Sequence, residues 1–198
     1  MTVDRTLKEV EDLMVSVARL TLGIPETDDS AIRIPYGAGS ATGNAPMHSP
    51  AESVCYVYVT PTDDGYGRHH HITYINGAEN DDSMTEVDEY TEEYAVIFSL
   101  YGQDAYDRAR KLRDGIYGVK VKEFLWGKHI HPKTEIPQIV QAHDIINTQW
   151  VKRCDVTVTF YAYVCIERAN AIGNIEKIVI TLKTQRDTYQ IEVDGKEQ

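Results

Sequence analysis

Five of the seven histidines fall in two short runs, His69–His70–His71 and His129-x-His131. Imidazole is the commonest protein ligand for zinc and the usual general base near neutral pH. On an extended chain successive side chains point to opposite faces. Only His69 and His71 could therefore share one ion, and His129 and His131 have the same geometry if they lie on a strand. A tetrahedral site needs a third and fourth ligand, and nothing nearby supplies them at a recognised spacing, although His143 is not far off in sequence. A metal-dependent enzyme using His69 and His71 is one reading of this cluster. Polar strand positions, or a histidine-rich contact surface, is the other. No cofactor is implied.

A second concentration of charge comprises Glu79, Asp81, Asp82, Glu86, Asp88, Glu89, Glu92 and Glu93, with no Lys or Arg among residues 78–93. The acids do not match a calcium-binding loop, which places them at fixed positions around a central glycine. The run reads as part of a solvated loop over 76–91, either meeting a basic partner or facing DNA and repelling it. Gly37, Gly39 and Gly43 nearly spell a dinucleotide fingerprint. The spacing is wrong, and Pro46 and Pro50 intervene where a phosphate-binding helix would begin, so 36–50 reads as a connector or contact loop. Cys55, Cys154 and Cys165 have no metal spacing and read as reduced thiols in a cytosolic setting. A Ser-His-Asp triad assembled only in space is not visible in a sequence.

The elements that must position these groups centre on residues 92–118, EEYAVIFSLYGQDAYDRARKLRDGIYG. Tyr94, Val96, Phe98 and Leu100 alternate with Ala95, Ile97, Ser99 and Tyr101, which predicts a strand. Gly102 breaks it. Ala105, Ala109, Leu112 and Ile116 then recur at helical spacing, with Asp104 at the start and Gly118 at the end. Upstream, Leu7, Val10, Leu13, Met14, Val17 and Leu20 form the apolar face of a helix over 4–22, stopped by Gly23 and Pro25. Ile32 and Ile34 suggest a short strand. Residues 52–60 and 70–75 read as a β-hairpin with its tip at 61–67, followed by a turn at Asn76-Gly77. Val119–Trp126 reads as a short helix ended by Gly127. Residues 128–141 hold one or two short strands which Pro132 and Pro137 confine to a sheet edge. Trp150 opens the longest strand, with Val156, Val158, Phe160, Ala162 and Val164 facing the core. A turn at 170–174 and a strand through Ile178, Ile180 and Leu182 follow. Residues 185–198 read as an extra strand donated to a neighbour, or as a frayed tail.

The phrases FSLYGQDAYDRARKLRDGI, TQWVKRCDVTVTFYAYV and NIEKIVITL resemble the neck or tail terminator proteins of tailed bacteriophages, over roughly residues 90–184. In that family a strand ending in an aromatic and a glycine leads into a helix of the form Asp-Ala-x-x-x-Ala-x-x-Leu, and a long strand after a Trp follows. The resemblance implies a structural virion protein. Its function would be a hexameric ring capping the tail tube and joining it to the head-tail connector, with DNA passing through without sequence-specific binding. It implies as partners further copies of the chain, the tail tube protein and the connector or adaptor protein, with the tail sheath protein as a further candidate. It implies location in the tail or neck of the virion, and in the host cytoplasm during assembly. A head-tail adaptor or tail-completion protein is the alternative within this class.

Composition fits such a part. A chain of 198 residues that is 42% hydrophobic supports one well-cored domain, 1–198, of α+β class: a mostly antiparallel sheet with two or three helices on one face. A net charge of −11 argues against a surface that grips nucleic acid. Neither a signal peptide nor a membrane-spanning run is expected. Ile97, Tyr101, Tyr161, Tyr163 and Val179 leave apolar surface on the other face of the sheet, as subunit contact would. Two contact patches are expected. One is the stripe Tyr106, Arg110, Arg113 and Tyr117, rich in the types enriched at interface hot spots. The other is the acidic segment with Glu79, Asp81, Asp82, Glu86 and Asp88. The alternative is a solvated stripe whose arginines pair with Asp107 and Asp114 on their own helix.

Overall fold

The structure, a computed structural model, describes residues 3–28, 30–35, 49, 52–62, 69–76, 84–135, 137–146, 148–170, 177–183 and 188–194. Gly37, Gly39 and Gly43, most of the 61–67 tip, Gly77, most of the 170–174 turn, and Glu79, Asp81 and Asp82 lie outside the described residues.

Helix α1 (Leu7–Leu22) starts on a capping box. The Thr6 hydroxyl accepts from the Glu9 N–H at 3.3 Å, and the Glu9 carboxylate accepts from the Thr6 N–H at 2.7 Å. The Thr6 amide, then its hydroxyl, hold the Glu9 carboxyl below its ordinary value. The helix ends at Gly23, whose φ of 75° is left-handed. Its buried face, Val10, Glu11, Met14, Val17, Ala18, Thr21 and Leu22, is wider than the apolar stripe and shifted from it. Leu20, expected inside, is exposed, and Glu11, expected outside, is buried. The shift follows from two neighbours: α1 packs on the sheet and also along a second helix, α2 (Ala105–Ile116).

The remaining elements, in chain order, are β1 (Ile32–Arg33), β2 (Cys55–Thr62), β3 (His71–Asn76), β4 (Met84–Tyr101), then after α2 the helix α3 (Val119–Trp126), β5 (Ile130–Pro132), β6 (Ile139–Ile146), β7 (Gln149–Asn170), β8 (Lys177–Lys183) and β9 (Thr188–Asp194). Seven of the strands form one sheet, with β8 and β9 a separate antiparallel pair. The fold is α+β, and every strand pairing is antiparallel except β1 with β2.

The spine of the sheet is the β4–β7 ladder, which pairs Met84 with Asn170 at one end and Tyr101 with Arg153 at the other. Along the free edge of β4, β2 takes Glu93–Leu100 and β3 takes Met84–Glu89. This corrects two expectations. Strands 55–62 and 71–76 do not pair with each other as a hairpin; both pair with β4. The acidic run is not a loop from residue 84 onward but the first half of β4. Flanked by β3 and β7, its backbone has ladder partners on both edges, and this outweighs the low strand preference of its acids. A third correction concerns 188–194, which pairs with β8 of its own chain.

All three helices bury one side against the same face of the sheet. Val10, Met14 and Val17 of α1, Ala109, Leu112 and Ile116 of α2 and Val121 and Leu125 of α3 meet Cys55 and Val57 of β2, Tyr94, Val96, Phe98 and Leu100 of β4, and Val156, Val158 and Phe160 of β7. The opposite face holds a smaller cluster of Val54, Tyr56, Tyr101 and Val151. Gly102, between β4 and α2, has φ 113°, and a Cβ there would lie 2.7 Å from the Ser53 hydroxyl and 3.0 Å from its Cα. The chain can make this corner only without a side chain. Asp104 then accepts the Ser53 hydroxyl at 2.7 Å rather than capping α2. Gly118, expected to end α2, is the extended N-cap of α3, and α2 ends at Ile116.

Candidate assembly surfaces

The α2 stripe stands on the solvent side of its helix. Tyr106 and Arg110 are exposed, and Arg113 and Tyr117 partly so. Both arginines turn toward Asp114, Arg110 at 4.0 Å and Arg113 at 3.1 Å. Tyr117 donates its hydroxyl to the carbonyls of Lys133 and Glu135 at 3.1 and 2.6 Å, which ties the chain before β6 to the end of α2. The burial this brings raises the Tyr117 pKa.

The acids of β4 are accommodated one by one. Glu86 and Asp88, two apart and so on one face, meet the guanidinium of Arg168 at 2.8 and 3.3 Å. The Asp88 side chain is only 5% exposed and also meets His70 Nδ1 at 2.9 Å. The His70 ring lies 4.6 Å from that of Tyr90. Glu89 accepts the Tyr163 hydroxyl, Glu92 that of Tyr94, and Glu93 that of Thr62 at 2.7 Å. Hydrogen bonding to Glu89 pushes the Tyr163 pKa up, and burial, then Glu92, does so for Tyr94. A hydroxyl satisfies a carboxylate oxygen without cancelling its charge, so this half of β4 stays anionic.

The histidines do not converge. His69 and His71 are exposed at the start of β3, while His70 is engaged with Asp88. His131 lies edge-on to Trp126, with ring centroids 5.2 Å apart, and His143 stands opposite Lys152 on β6. Among the described residues no three His, Cys, Asp or Glu side chains group as metal ligands would. The three cysteines are buried and unbridged, and burial pushes the Cys55 thiol up to about 12.

Two features were not anticipated. On the helix-free face, Arg153 bridges Asp155 (2.6 Å) and Asp144 (3.0 Å), and Asp144 accepts the Tyr101 hydroxyl at 2.8 Å. Hydrogen bonding to Asp155 raises the Arg153 pKa, and burial, then Asp144, raises that of Tyr101. The spacing Arg153-x-Asp155 on a strand was the available signal, because it puts both groups on one face. The second feature is a groove of about 350 Å³ between α3 and β5, with Trp126 at its rim. No spacing rule marks it, since its walls come from separate elements.

The polar groups of this sheet serve one another, and its outer strands and helix surfaces carry charge and large apolar side chains. The particular family is given by the sequence: the chain belongs to the phage neck terminator proteins, whose family model matches residues 15–187. It is thus a structural protein of the phage tail and neck. No curated protein matches the chain. No helix among the described residues is long and apolar enough to cross a membrane.

Proposed function

We propose that the chain folds as a single domain and that six copies close into a ring that ends the tail tube and joins it to the head-tail connector or adaptor. The observation that carries this reading is the family match over residues 15–187. In this reading the tail tube protein lies on one side of the ring and the connector on the other, with the tail sheath protein as a further neighbour. DNA passes through without being bound by sequence. The net charge of −11 supports the last point, since an anionic conduit repels the duplex rather than holding it. The α2 stripe and the acidic strand serve subunit contacts. A head-to-tail ring requires two different, complementary patches on each copy.

The test is electron microscopy of the purified chain, alone at high concentration and on isolated tail tubes. Six-fold rings at the tube end are expected. Decoration without a six-fold axis would sink the ring. Binding to connectors but not tubes would reassign the chain to an adaptor. Arg110→Glu with Arg113→Glu should leave the subunit folded and prevent ring closure.

A further inference from the structure

The α2 stripe ends at Tyr117, and Tyr117 is also a wall of the groove beside α3. Its other walls include Lys122, Trp126, Ile130, His131 and Pro132. The Trp126 side of this groove is open, with Trp126 73% exposed and Val119 of the same helix 70% exposed. The surroundings are cationic in an otherwise acidic chain: residues 118–134 carry four lysines against one glutamate. The side chains of Lys120, Lys122, Lys128 and Lys133 make no ion pair among the described residues. In this they differ from Arg110 and Arg113, which both face Asp114.

The complementary surface is the arm formed by β3 and the first half of β4, which β7 separates from β5 in the sheet. Residues 84–93 carry five acids and no Lys or Arg. Glu89, Glu92 and Glu93 hydrogen-bond hydroxyls and so keep their charge. On the face of Glu89 and Glu93, β3 exposes Ile75, while Ile72 and Tyr74 are exposed on the face of Glu92. One surface is an aromatic groove lined by Lys122, with three more lysines in the same stretch of chain, and the other is an acidic face with the half-exposed Ile75. They match in sign and in apolar character, and both are on the same chain.

We propose that the groove between α3 and β5 receives the acidic arm of a second copy of this chain, with Trp126 and Tyr117 packing against Ile75 and the lysines facing Glu89 and Glu93, which share the face of Ile75. The contact is heterologous, so each copy gives an arm and takes one, and repetition closes a ring if the angle permits. It rests on the ring reading above and specifies which surfaces meet. Every copy carries both surfaces, so each positive surplus has a negative one to meet in the assembly.

The test uses rings assembled from a mixture of 14N- and 15N-labelled full-length chains, treated with a zero-length carbodiimide cross-linker. Mixed-isotope cross-links are expected between the lysines of 120–133 and the acids of 86–93. In a Trp150→Phe background, Trp126 fluorescence should shift to the blue and lose access to acrylamide on assembly. Lys122→Glu with Lys128→Glu should abolish assembly at least tenfold above the wild-type assembly concentration, and Glu89→Lys with Glu93→Lys in the same chain should restore it. If rings form but these lysines cross-link elsewhere and Trp126 stays exposed, the contact is wrong while the ring stands. If no ring forms under any condition, the ring reading itself fails. Retention of the wild-type chain on duplex DNA at low salt, lost in the lysine variant, would assign the groove to nucleic acid and overturn the proposal.

Discussion

The β4–β7 ladder is one continuous pairing, yet its two halves live in different surroundings. From Tyr94 to Tyr101, opposite Arg153 to Phe160, one face lies under the helices, and Val96, Phe98, Leu100, Val156 and Phe160 are fully buried. From Met84 to Glu93, opposite Tyr161 to Asn170, the same backbone pattern carries Glu86, Asp88, Glu89, Glu92 and Glu93, and its side-chain partners are Arg168, His70 and hydroxyls. Hydrogen-bonded pairing is thus common to both halves and does not distinguish them. What differs is the apolar area removed from water: it is large in the first half, whereas among the described residues the second buries only the apolar Val87, Ala162, Val164 and Cys165 and relies more on electrostatics.

The comparison is tested most strongly at Phe98. Truncation to Ala beneath three helices should destabilise by about 3–5 kcal/mol, because the surroundings cannot collapse onto the space. Urea denaturation checks this, and an unchanged midpoint would mean that the core lies elsewhere. The counterpart in the acidic half is Asp88. Its carboxylate is buried, which by itself would predict a large loss on substitution. Its partners are not: the side chains of Arg168 and His70 are 46% and 47% exposed. Left unpaired they turn to water, so Asp88→Ala should cost about 1–2 kcal/mol rather than the larger penalty of an isolated buried charge. A loss equal to that of Phe98→Ala would erase the distinction between the halves.

Alkaline titration probes both halves at once. Tyr94 and Tyr101 in the buried half and Tyr163 in the acidic half all have pKa values raised in the fold. A raised value means that the folded state holds the proton more tightly than the unfolded chain. The contribution is therefore fully present below the ordinary tyrosine value of about 10 and is lost as pH rises from there through the folded value. Stability should be flat in this respect up to pH 9 and fall above pH 10, by on the order of a few tenths of a kcal/mol per pH unit for each of these tyrosines after solvent screening. Tyr101→Phe should flatten the fall more than Tyr163→Phe, because burial leads the causes at Tyr101 and a hydrogen bond to Glu89 leads at the more solvated Tyr163. Denaturation midpoints at pH 9, 10 and 11 decide it, and equal flattening would make the two sites equivalent.

The sequence made the buried half readable and the acidic half not. Phe98 and Phe160 sit in strict alternations of large apolar residues, and α2 and α3 show their helical spacing and glycine boundaries. Periodicity reports burial, and there burial governs. In the acidic half the residues that form the strand are acids, and the pattern reports solvent contact whether the backbone is looped or paired. The pairing comes from β7, some eighty residues away, and no local signal carries it. The same reason hid the partner of β3, which pairs with the β4 strand after it and not with the β2 strand before it. The α2 stripe was legible as a surface, whereas the lysine groove needed α3 and β5 brought side by side.

The smallest effect is expected at Arg110, and it separates the outside of the buried half from the acidic arm. Arg110 and Arg168 are both surface arginines facing carboxylates. Arg110 meets Asp114 at 4.0 Å, with side chains 67% and 56% exposed, four residues apart on one helix. Water screens such a pair, and ordering two long side chains offsets most of the attraction, so Arg110→Gln should change stability by about 0.3 kcal/mol. Arg168 instead meets an Asp88 carboxylate that the arm has already taken out of water, and also Glu86 at 2.8 Å. Arg168→Gln removes the guanidinium that Glu86 and Asp88 share, and should cost several times as much as Arg110→Gln. Midpoints of the two variants measured in low and high salt check the argument. The Arg110 effect should vanish in high salt, and the Arg168 effect should persist because Asp88 remains buried. Equal, salt-sensitive effects would mean that the arm is held together no more tightly than an ordinary solvated surface, and a rigid ridge could not then be what enters a neighbour's groove.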